Sequence, residues 1–475
     1  MNDWFLWTYH HLPWHAKNIA ASVRGAYLRQ WRYGPETQKL IEAAVEREQW
    51  SQKQWSEYKL ARLRHVLERA VQRVPYYRQY WSERRRKGQK GSWEYLENWP
   101  ILEKKTVREN PAAFLADDCD VRRMLCEYTS GTTGMPLSIW TTRKTQRSWF
   151  ALFEARWRQW NGVSRGDRWA ILGGQLVTAA ERRRPPFWVW NIALNQLYMS
   201  SYHLSPEFIP YYLDALEKHR ITYLWGYSSS LHAIAQEALR LNRRLQMKVA
   251  ITNAEPLFEY QRETISAAFS CPARETYGMC EMVAAASECK SDQLHFWPEV
   301  GLVEVDTSPL SSAEAAAGDL ICTGLLNADM PLIRYRVGDR GIMDGSSKLC
   351  SCGRSLPVLS SIEGRIDDLL YAPDGRVFGR LDPVFKGNLP IRAAQIIQES
   401  LGEVRVRYVP TAEFNQEAAK SITREIKLRM GKVNVRLEEV EEIPAQANGK
   451  FRAVISQLTP EEKRMCKQKG AIEFR

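Results

Sequence analysis

Apolar residues recur along the 475-residue chain in two rhythms, and the change between them divides it. Between Glu42 and Val71 the positions Trp50, Trp55, Leu60, Leu63, Val66, Leu67 and Ala70 fall at helical spacing. Pro75 is expected to end that run. Residues 1–110 therefore read as a helical, charged segment packed on a larger unit. From about 121 to 360 the pattern changes. Short apolar runs (Trp169–Leu172, Tyr223–Trp225, Lys248–Thr252, Leu302–Val305) alternate with helical stretches (Pro210–Leu216, Ser230–Leu241). Such alternation predicts a layered α/β domain with a largely parallel sheet over residues 111–364. Gly338–Gly353, rich in Gly, Asp and Cys, reads as loop and turn. Residues 365–475 behave separately. Val404–Val409 alternates with period two, Gln416–Met430 is helical, and Val433–Leu437 is strand-like again. That β-α-β order predicts a small α+β domain.

Composition narrows the class. The chain is too long for one core, and 44% apolar with 26% charged residues is ordinary for a globular protein. It has no apolar run of about 18 residues, so no transmembrane helix is expected. Trp4-Phe5-Leu6-Trp7 lacks the basic flank of a secretory signal. These residues are expected to pack on their own domain, with a membrane surface or another subunit as the alternative. The formal charge of +12 collects in Arg84–Lys87 and Arg182–Arg184 without any nucleic-acid motif. A positive field of that kind draws in small polyanions and does not argue for a nucleic-acid partner. Nine cysteines, without a secreted-framework spacing, fit a reducing cytoplasm.

One stretch fits neither rhythm: Thr129-Ser130-Gly131-Thr132-Thr133-Gly134-Met135-Pro136. Small hydroxyl side chains around two glycines make a poor helix and a poor strand. They make a loop whose backbone N–H groups close around phosphate oxygens, or else a polar surface turn. Further along come Asn253-Ala254-Glu255-Pro256 and Glu275-Thr276-Tyr277-Gly278-Met279-Cys280-Glu281. Arg334-Tyr335-Arg336-Val337-Gly338-Asp339, Glu363-Gly364-Arg365-Ile366-Asp367-Asp368 and Asn448-Gly449-Lys450-Phe451-Arg452 follow. In this order the series resembles the core motifs of the adenylate-forming enzymes, the acyl- and aryl-CoA synthetases and their relatives. The resemblance runs from about Tyr128 to Arg452. Val74-Pro75-Tyr76-Tyr77, Trp225-Gly226-Tyr227-Ser228-Ser229 and Cys350-Ser351-Cys352-Gly353-Arg354 resemble the phenylacetate–CoA ligase branch, in its capsular polysaccharide type.

The resemblance implies an enzyme that joins a carboxylic acid to the α-phosphate of ATP, expels pyrophosphate, and passes the acyl group to a thiol, coenzyme A. Attack of one anion on another needs charge neutralisation and positioning more than it needs a base. Ser130, Gly131, Thr132, Thr133 and Gly134 would hold the β- and γ-phosphates. Tyr277, Gly278 and Cys280 would lie over the adenine and reach the α-phosphate. Glu281 would help hold Mg²⁺. Asp339 would accept from the ribose hydroxyls, Glu255 and Pro256 would flank the adenine, and Arg365 would stand near the nucleotide. The implied catalytic residues are Thr132, Glu281 and Lys450, with Lys450 carried in when a small mobile C-terminal lid closes. Asp367 is the implied hinge of that lid. The acid is expected among Trp225, Gly226, Tyr227, Asn253 and Met279, where aromatic side chains suit a planar acid.

The sequence departs from the family pattern at three places. Met135 stands where relatives commonly carry lysine, which removes a charge but not the backbone cradle. Cys280 replaces a threonine or serine and is a weaker donor. After Asp367-Asp368 the chain runs Leu369-Leu370-Tyr371, without the lysine of many relatives, implying an altered surface for the second step.

Cys350-Ser351-Cys352-Gly353 forms a knuckle-like turn, with Cys289 and His295 upstream. Three thiolates and one imidazole would close a tetrahedral structural zinc site. Unconnected buried thiols are the alternative on spacing alone, and resemblance to relatives with cysteines in this region favours zinc.

Two other outcomes remain open to the sequence: an adenylating enzyme that delivers its acid to an amine or hydroxyl of a polysaccharide precursor, and an ATP-binding homologue without catalysis. The second predicts loss of Lys450, Glu281 or Asp339, and all three are present. The implied role of Lys450 makes a specific prediction. Lys450→Ala abolishes adenylate formation while transfer from preformed acyl-adenylate persists, as read by separate half-reaction assays; equal loss of both contradicts the role.

Overall fold

The computed structural model describes residues 8–91, 93–128, 137–175, 177–179, 182, 184–204, 206–306, 318–343, 350–365, 370–373, 377–378, 389–444 and 454–472. Capping decides where the N-terminal helices begin. Trp14–Arg32, Thr37–Arg47, Gln52–Arg73 and Pro75–Arg86 are helical. The run expected from Glu42 to Val71 is split. Ser51 accepts from the backbone N–H of Gln54, and the Gln54 side chain accepts from the Ser51 N–H at 2.9 Å, so the helix restarts there. Pro75 ends one helix and also opens the next, at a position where its missing N–H has no partner to lose.

A hairpin of β1 (Leu125–Tyr128) and β2 (Ser138–Thr141) sets Tyr128 opposite Ser138. The glycine-rich loop that joins them, with Ser130, Gly131, Thr132, Thr133 and Gly134, lies outside the described residues. The main sheet contains β3 (Trp169–Gly173), β4 (Trp188–Asn191), β5 (Gln196–Ser200), β6 (Tyr223–Tyr227), β7 (Val249–Asn253) and β8 (Ala273–Gly278). It continues with β9 (Ala285–Glu288), β10 (Leu294–Phe296), β11 (Gly301–Asp306), β12 (Gly318–Gly324), β13 (Tyr335–Met343) and β14 (Val358–Arg365). The spatial order is β11-β12-β13-β14-β10-β9-β8-β7-β6-β3-β5-β4.

The expectation of a largely parallel sheet holds for only part of it. Strands β8, β7, β6, β3 and β5 run parallel, and every other pairing in the sheet is antiparallel. The central parallel strands β3, β6 and β7 carry the largely apolar runs that covering on both faces requires. Gly338–Gly353 is also not all loop, because Tyr335–Met343 is strand β13. Gly338 takes φ +85° and the register shifts between Asp339 and Arg340, a bulge that admits Gly-Asp inside a strand. Gly226 has a different reason: a Cβ there would lie 2.7 Å from the carbonyl oxygen of Leu172 on the neighbouring strand.

The N-terminal helices share the core of the main domain. Leu63, Val66, Leu67, Tyr77, Trp81 and Trp99 pack in one cluster with Ile333 and Tyr335. Tyr77 Oη donates to the carbonyl of Pro331 and accepts from Ile333 N–H, both at 3.1 Å.

The C-terminal part forms its own layer. Strands β15 (Leu370–Tyr371) and β16 (Val377–Phe378) pair, and β17 (Ile391–Gln398), β18 (Glu403–Pro410), β19 (Asn434–Glu439) and β20 (Val454–Ser456) form a sheet ordered β19-β18-β17-β20. The helix Gln416–Met430 covers it through Ile422, Ile426 and Met430, and β18 and β19 run parallel as the β-α-β reading expects. Gln398 clamps β15 to this layer, accepting from Tyr371 N–H at 2.9 Å and donating to its carbonyl at 2.6 Å. Among the described residues no helix is long and apolar enough to cross a membrane.

Tyr77→Phe leaves a buried N–H and a carbonyl without their shared partner. The expected cost is about 1–3 kcal/mol of stability, read as a lowered thermal midpoint with the near-ultraviolet spectrum retained; an unchanged midpoint contradicts this account.

Candidate active site

The parallel strands β6, β7 and β8 end on the same edge, where α/β sheets place their ligands. Each ends in residues that the sequence singles out. Tyr227 lies opposite Asn253 in the β6–β7 register. With its amide oriented to satisfy both partners, Asn253 donates to the Gly226 carbonyl at 2.9 Å and accepts from Trp225 Nε1 at 3.1 Å. Ala254 follows with φ +62°, a strained conformation for a residue with a Cβ. That turn aims Glu255 at the start of the helix Ser228–Arg240, where its carboxylate accepts from Ser229 N–H at 3.0 Å and Ser228 Oγ at 3.2 Å. Ser228 Oγ also lies 2.8 Å from the Pro256 carbonyl, to which it donates in a shared geometry. Glu255 and Pro256 thus brace this edge.

At the end of β8, Tyr277 Oη donates to Asp339 Oδ2 at 2.8 Å. Burial first, and then the Asp339 carboxylate, raise the phenol well above its usual range, so it stays the donor. Asp339 stands opposite Arg365 in the β13–β14 register, which brings two expected nucleotide contacts side by side on the backbone. The Arg365 side chain, Asp367 and Lys450 lie outside the described residues. Gly278 faces an aromatic wall; a Cβ there would lie 3.2 Å from Trp157 and 3.7 Å from Trp149. Met279 packs half-buried against the core. Burial also pushes the Cys280 thiol far up, with Glu127 and Glu281 adding to the shift, so it is a neutral, weak donor.

Glu281 is only 6% exposed and needs partners. Lys104 Nζ reaches its Oε1 at 3.0 Å, and Tyr335 Oη donates to the same oxygen at 3.1 Å. Among the described residues both contacts fall on Oε1, so Oε2 is the oxygen that suits a hard cation such as Mg²⁺. The sequence reading missed Lys104. Its position follows from a backbone pairing: Leu102 N–H donates to the Arg334 carbonyl at 2.9 Å, and Arg336 N–H donates to the Leu102 carbonyl at 3.0 Å. Arg334 then donates to the carbonyls of Glu97 and Trp99 at 3.0 and 2.9 Å, and Arg336 pairs with Glu103 at 2.9 Å. These two motif arginines therefore pin the segment that carries Lys104.

The aromatic wall was also missed in part. Trp225 is 3% exposed and stacks on Phe153 at 4.8 Å, with Trp157 at 5.3 Å and Trp149 beyond it. Phe153–Arg158 is a π-helical turn, a conformation often found where a side chain must be re-aimed. Its only sequence signal is the density of aromatic residues from Trp149 to Trp160.

Away from this edge, the candidate ligand atoms of Cys289, His295, Cys350 and Cys352 all lie within 4.8 Å of one another. Cys289 and Cys350 sulfurs are 3.8 Å apart, too far for a disulfide, and Cys352 Sγ is 3.4 Å from His295 Nε2. His295 Nδ1 lies 3.0 Å from the Leu356 carbonyl, which orients the ring and leaves Nε2 facing the thiols. Three sulfurs and one imidazole nitrogen suit zinc, whose contribution when bound is to tie Cys289 and His295 to the Cys350–Cys352 turn.

Comparison with known proteins completes the picture. Residues 370–457 match the model of the CapK C-terminal domain. The chain is 24% identical to Protein CapK of Staphylococcus aureus over 458 residues, covering 95% of this chain and 99% of that protein. It is 25% identical to the phenylacetate-coenzyme A ligase of Aromatoleum evansii over 339 residues, covering 68% and 73% respectively. Together these likenesses support the resemblance to the phenylacetate–CoA ligase family of adenylate-forming enzymes, in its CapK-like branch. The fold agrees: the crystal structure of 2-hydroxyisobutyryl-CoA ligase in complex with 2-HIB-AMP superposes with a TM-score of 0.65 at 20% identity, covering 90% of this chain and 94% of that one. The CapK-like C-terminal match begins at Leu370, the first residue of β15.

If the four ligands act as a zinc site, protein purified without a polyhistidine tag carries about one zinc per chain by elemental analysis. Cys350→Ser then loses the metal. Protein free of zinc as isolated refutes the site.

Proposed function

We propose that this chain is an ATP-dependent, AMP-forming ligase that activates a carboxylic acid as its acyl-adenylate and passes the acyl group to a thiol, coenzyme A. The observation that carries this reading is the convergence at one strand edge of Tyr277–Asp339 and Lys104–Glu281–Tyr335, each pair drawn from distant parts of the sequence. Asp339 offers a carboxylate suited to paired ribose hydroxyls. Glu281 offers an anionic oxygen for Mg²⁺, which when bound neutralises phosphate charge. Lys104 supplies a positive charge beside Glu281. The Ser130–Gly134 loop, Arg365, the Asp367 hinge and Lys450 take the roles that the resemblance implies. The acid lies against the Trp225–Tyr227 and Asn253 edge beneath Met279, where the wall of Trp149, Phe153 and Trp157 favours a flat substrate.

A second reading has its own support. Similarity to CapK extends over 95% of the chain, which favours an acceptor amine or hydroxyl on a polysaccharide precursor in place of a thiol. Both readings share the adenylation step.

A pyrophosphate-release screen over a broad set of carboxylic acids, run with and without coenzyme A, tests the proposal. Release with some acid, and a thioester product when coenzyme A is present, is the expected result. Release with only amine or hydroxyl acceptors consumed selects the second reading, and no acyl-adenylate from any acid overturns both. Lys104→Ala is expected to slow adenylation by about 10²-fold, with partial rescue in Lys104→Arg; an unaffected rate contradicts the assignment of Lys104.

A further inference from the structure

A second polar cleft lies between the helices Gln52–Arg73 and Arg143–Leu152 and takes no part in the site just described. It encloses about 290 Å³, at the small end of ligand pockets, and is lined by Arg47, Arg62, His65, Arg69, Lys144 and Ser148. Two carboxylates also face it, Glu299 and Asp329. Both are already committed. Glu299 takes Arg47 at 2.8 Å and two bonds from Arg156 at 2.7 Å. Asp329 takes Arg69 at 2.6 Å, and Arg69 reaches Asp118 as well.

The remaining cations are not compensated. Lys144 forms no ion pair among the described residues, and Arg62 meets a neutral acceptor, the Leu325 carbonyl, at 2.7 Å through Nη2. The buried Nε of Arg62 has no acceptor among the described residues. Four guanidinium and ammonium groups thus face two carboxylates, an excess of two positive charges. His65 registers the same field: partial burial, then Arg62, Arg69 and Lys144, lower its pKa against a weaker pull from Glu68. Hydroxyls complete the lining. Thr142 caps the helix Arg143–Leu152, whose positive end opens on the cleft, and Ser148 stands further along that helix.

We propose that this cleft is a binding site for a phosphate dianion. An excess of two charges, donors on two helices and a small volume match a phosphate monoester end or a free phosphate. Two sources supply that chemistry. One is the 3′-phosphate of coenzyme A, which rests on the ligase reading; the other is free phosphate or pyrophosphate, which does not.

The test is calorimetric binding to the full chain at constant ionic strength, with chloride as the reference anion and no acid or ATP present. The probes are inorganic phosphate, pyrophosphate, coenzyme A and dephospho-coenzyme A. The variants are Lys144→Glu and Arg62→Gln, with circular dichroism and melting temperature as folding controls. Phosphate or pyrophosphate binding that weakens by about tenfold or more in both variants supports the site with a free anion as its ligand. Wild-type preference for coenzyme A over dephospho-coenzyme A, erased in both variants, supports it with the acceptor as its ligand. Binding that is absent for every probe, or unchanged in both folded variants, overturns it. Because no step requires turnover, a protein inactive as a ligase still gives a decisive result.

Discussion

Two backbone hydrogen bonds between Leu102 and strand β13 hold the candidate site together. They pair a short parallel segment with the start of β13 and so place Lys104 against Glu281. A carboxylate as enclosed as Glu281 is costly to keep charged unless cations and donors surround it. The main domain supplies Tyr335 and the N-terminal segment supplies Lys104. The segment therefore lines the candidate site as well as capping the core. Arg334 and Arg336 show how the linkage is kept in register, since each bonds a residue of the 97–103 stretch, Arg334 from just before and Arg336 from within the strand that carries Asp339.

The same edge explains several residue choices that chemistry alone does not. Gly226 is required by the Leu172 carbonyl on the neighbouring strand, and Gly278 lets β8 pass close to the indole of Trp157. Asn253 links β7 back to β6, and the strained Ala254 turns the chain so that Glu255 caps the next helix. Close strand packing, a capped helix and a bent strand end together fix three successive strand termini to within hydrogen-bonding distances. A site that must align two anions needs that rigidity, because small misplacements are costly in rate.

How much of this was legible depended on the separation of the partners. The helix Gln416–Met430 and the strands around it obey local periodicity, and the reading of that region agrees with the structure. The Cys350–Cys352 turn with Cys289 and His295 was legible because ligand chemistry restricts which residues can pair. Strand β13 was not, since Gly338 and Asp339 look like a turn until a bulge accommodates them. The antiparallel half of the sheet was hidden too, because strands such as β13 and β14 interrupt their apolar residues with Gly, Arg, Asp and Ser. Lys104 gave no signal at all: it stands 177 residues from Glu281, in a run of charges that reads as surface.

The positive balance of the chain takes on a different meaning once its arginines are placed. A diffuse field was the expectation, yet many of these side chains are internal braces. Arg156 is fully buried in a bidentate pair with Glu299, Arg158 pairs with Glu154 at 2.8 Å, and Arg336 joins Glu103, Asp306 and Asp319. Guanidinium suits this work because its planar fork satisfies two acceptors at once and stacks on rings, as Arg354 does over Trp160 at 4.0 Å. Charges neutralised in this way project little potential outward. Such potential as the protein offers an anion therefore comes from cations that lack carboxylate partners, and the cleft beside Arg62 and Lys144 gathers two of them facing one volume. Focusing of that kind follows from the packing of two helices, and composition alone could not have located it.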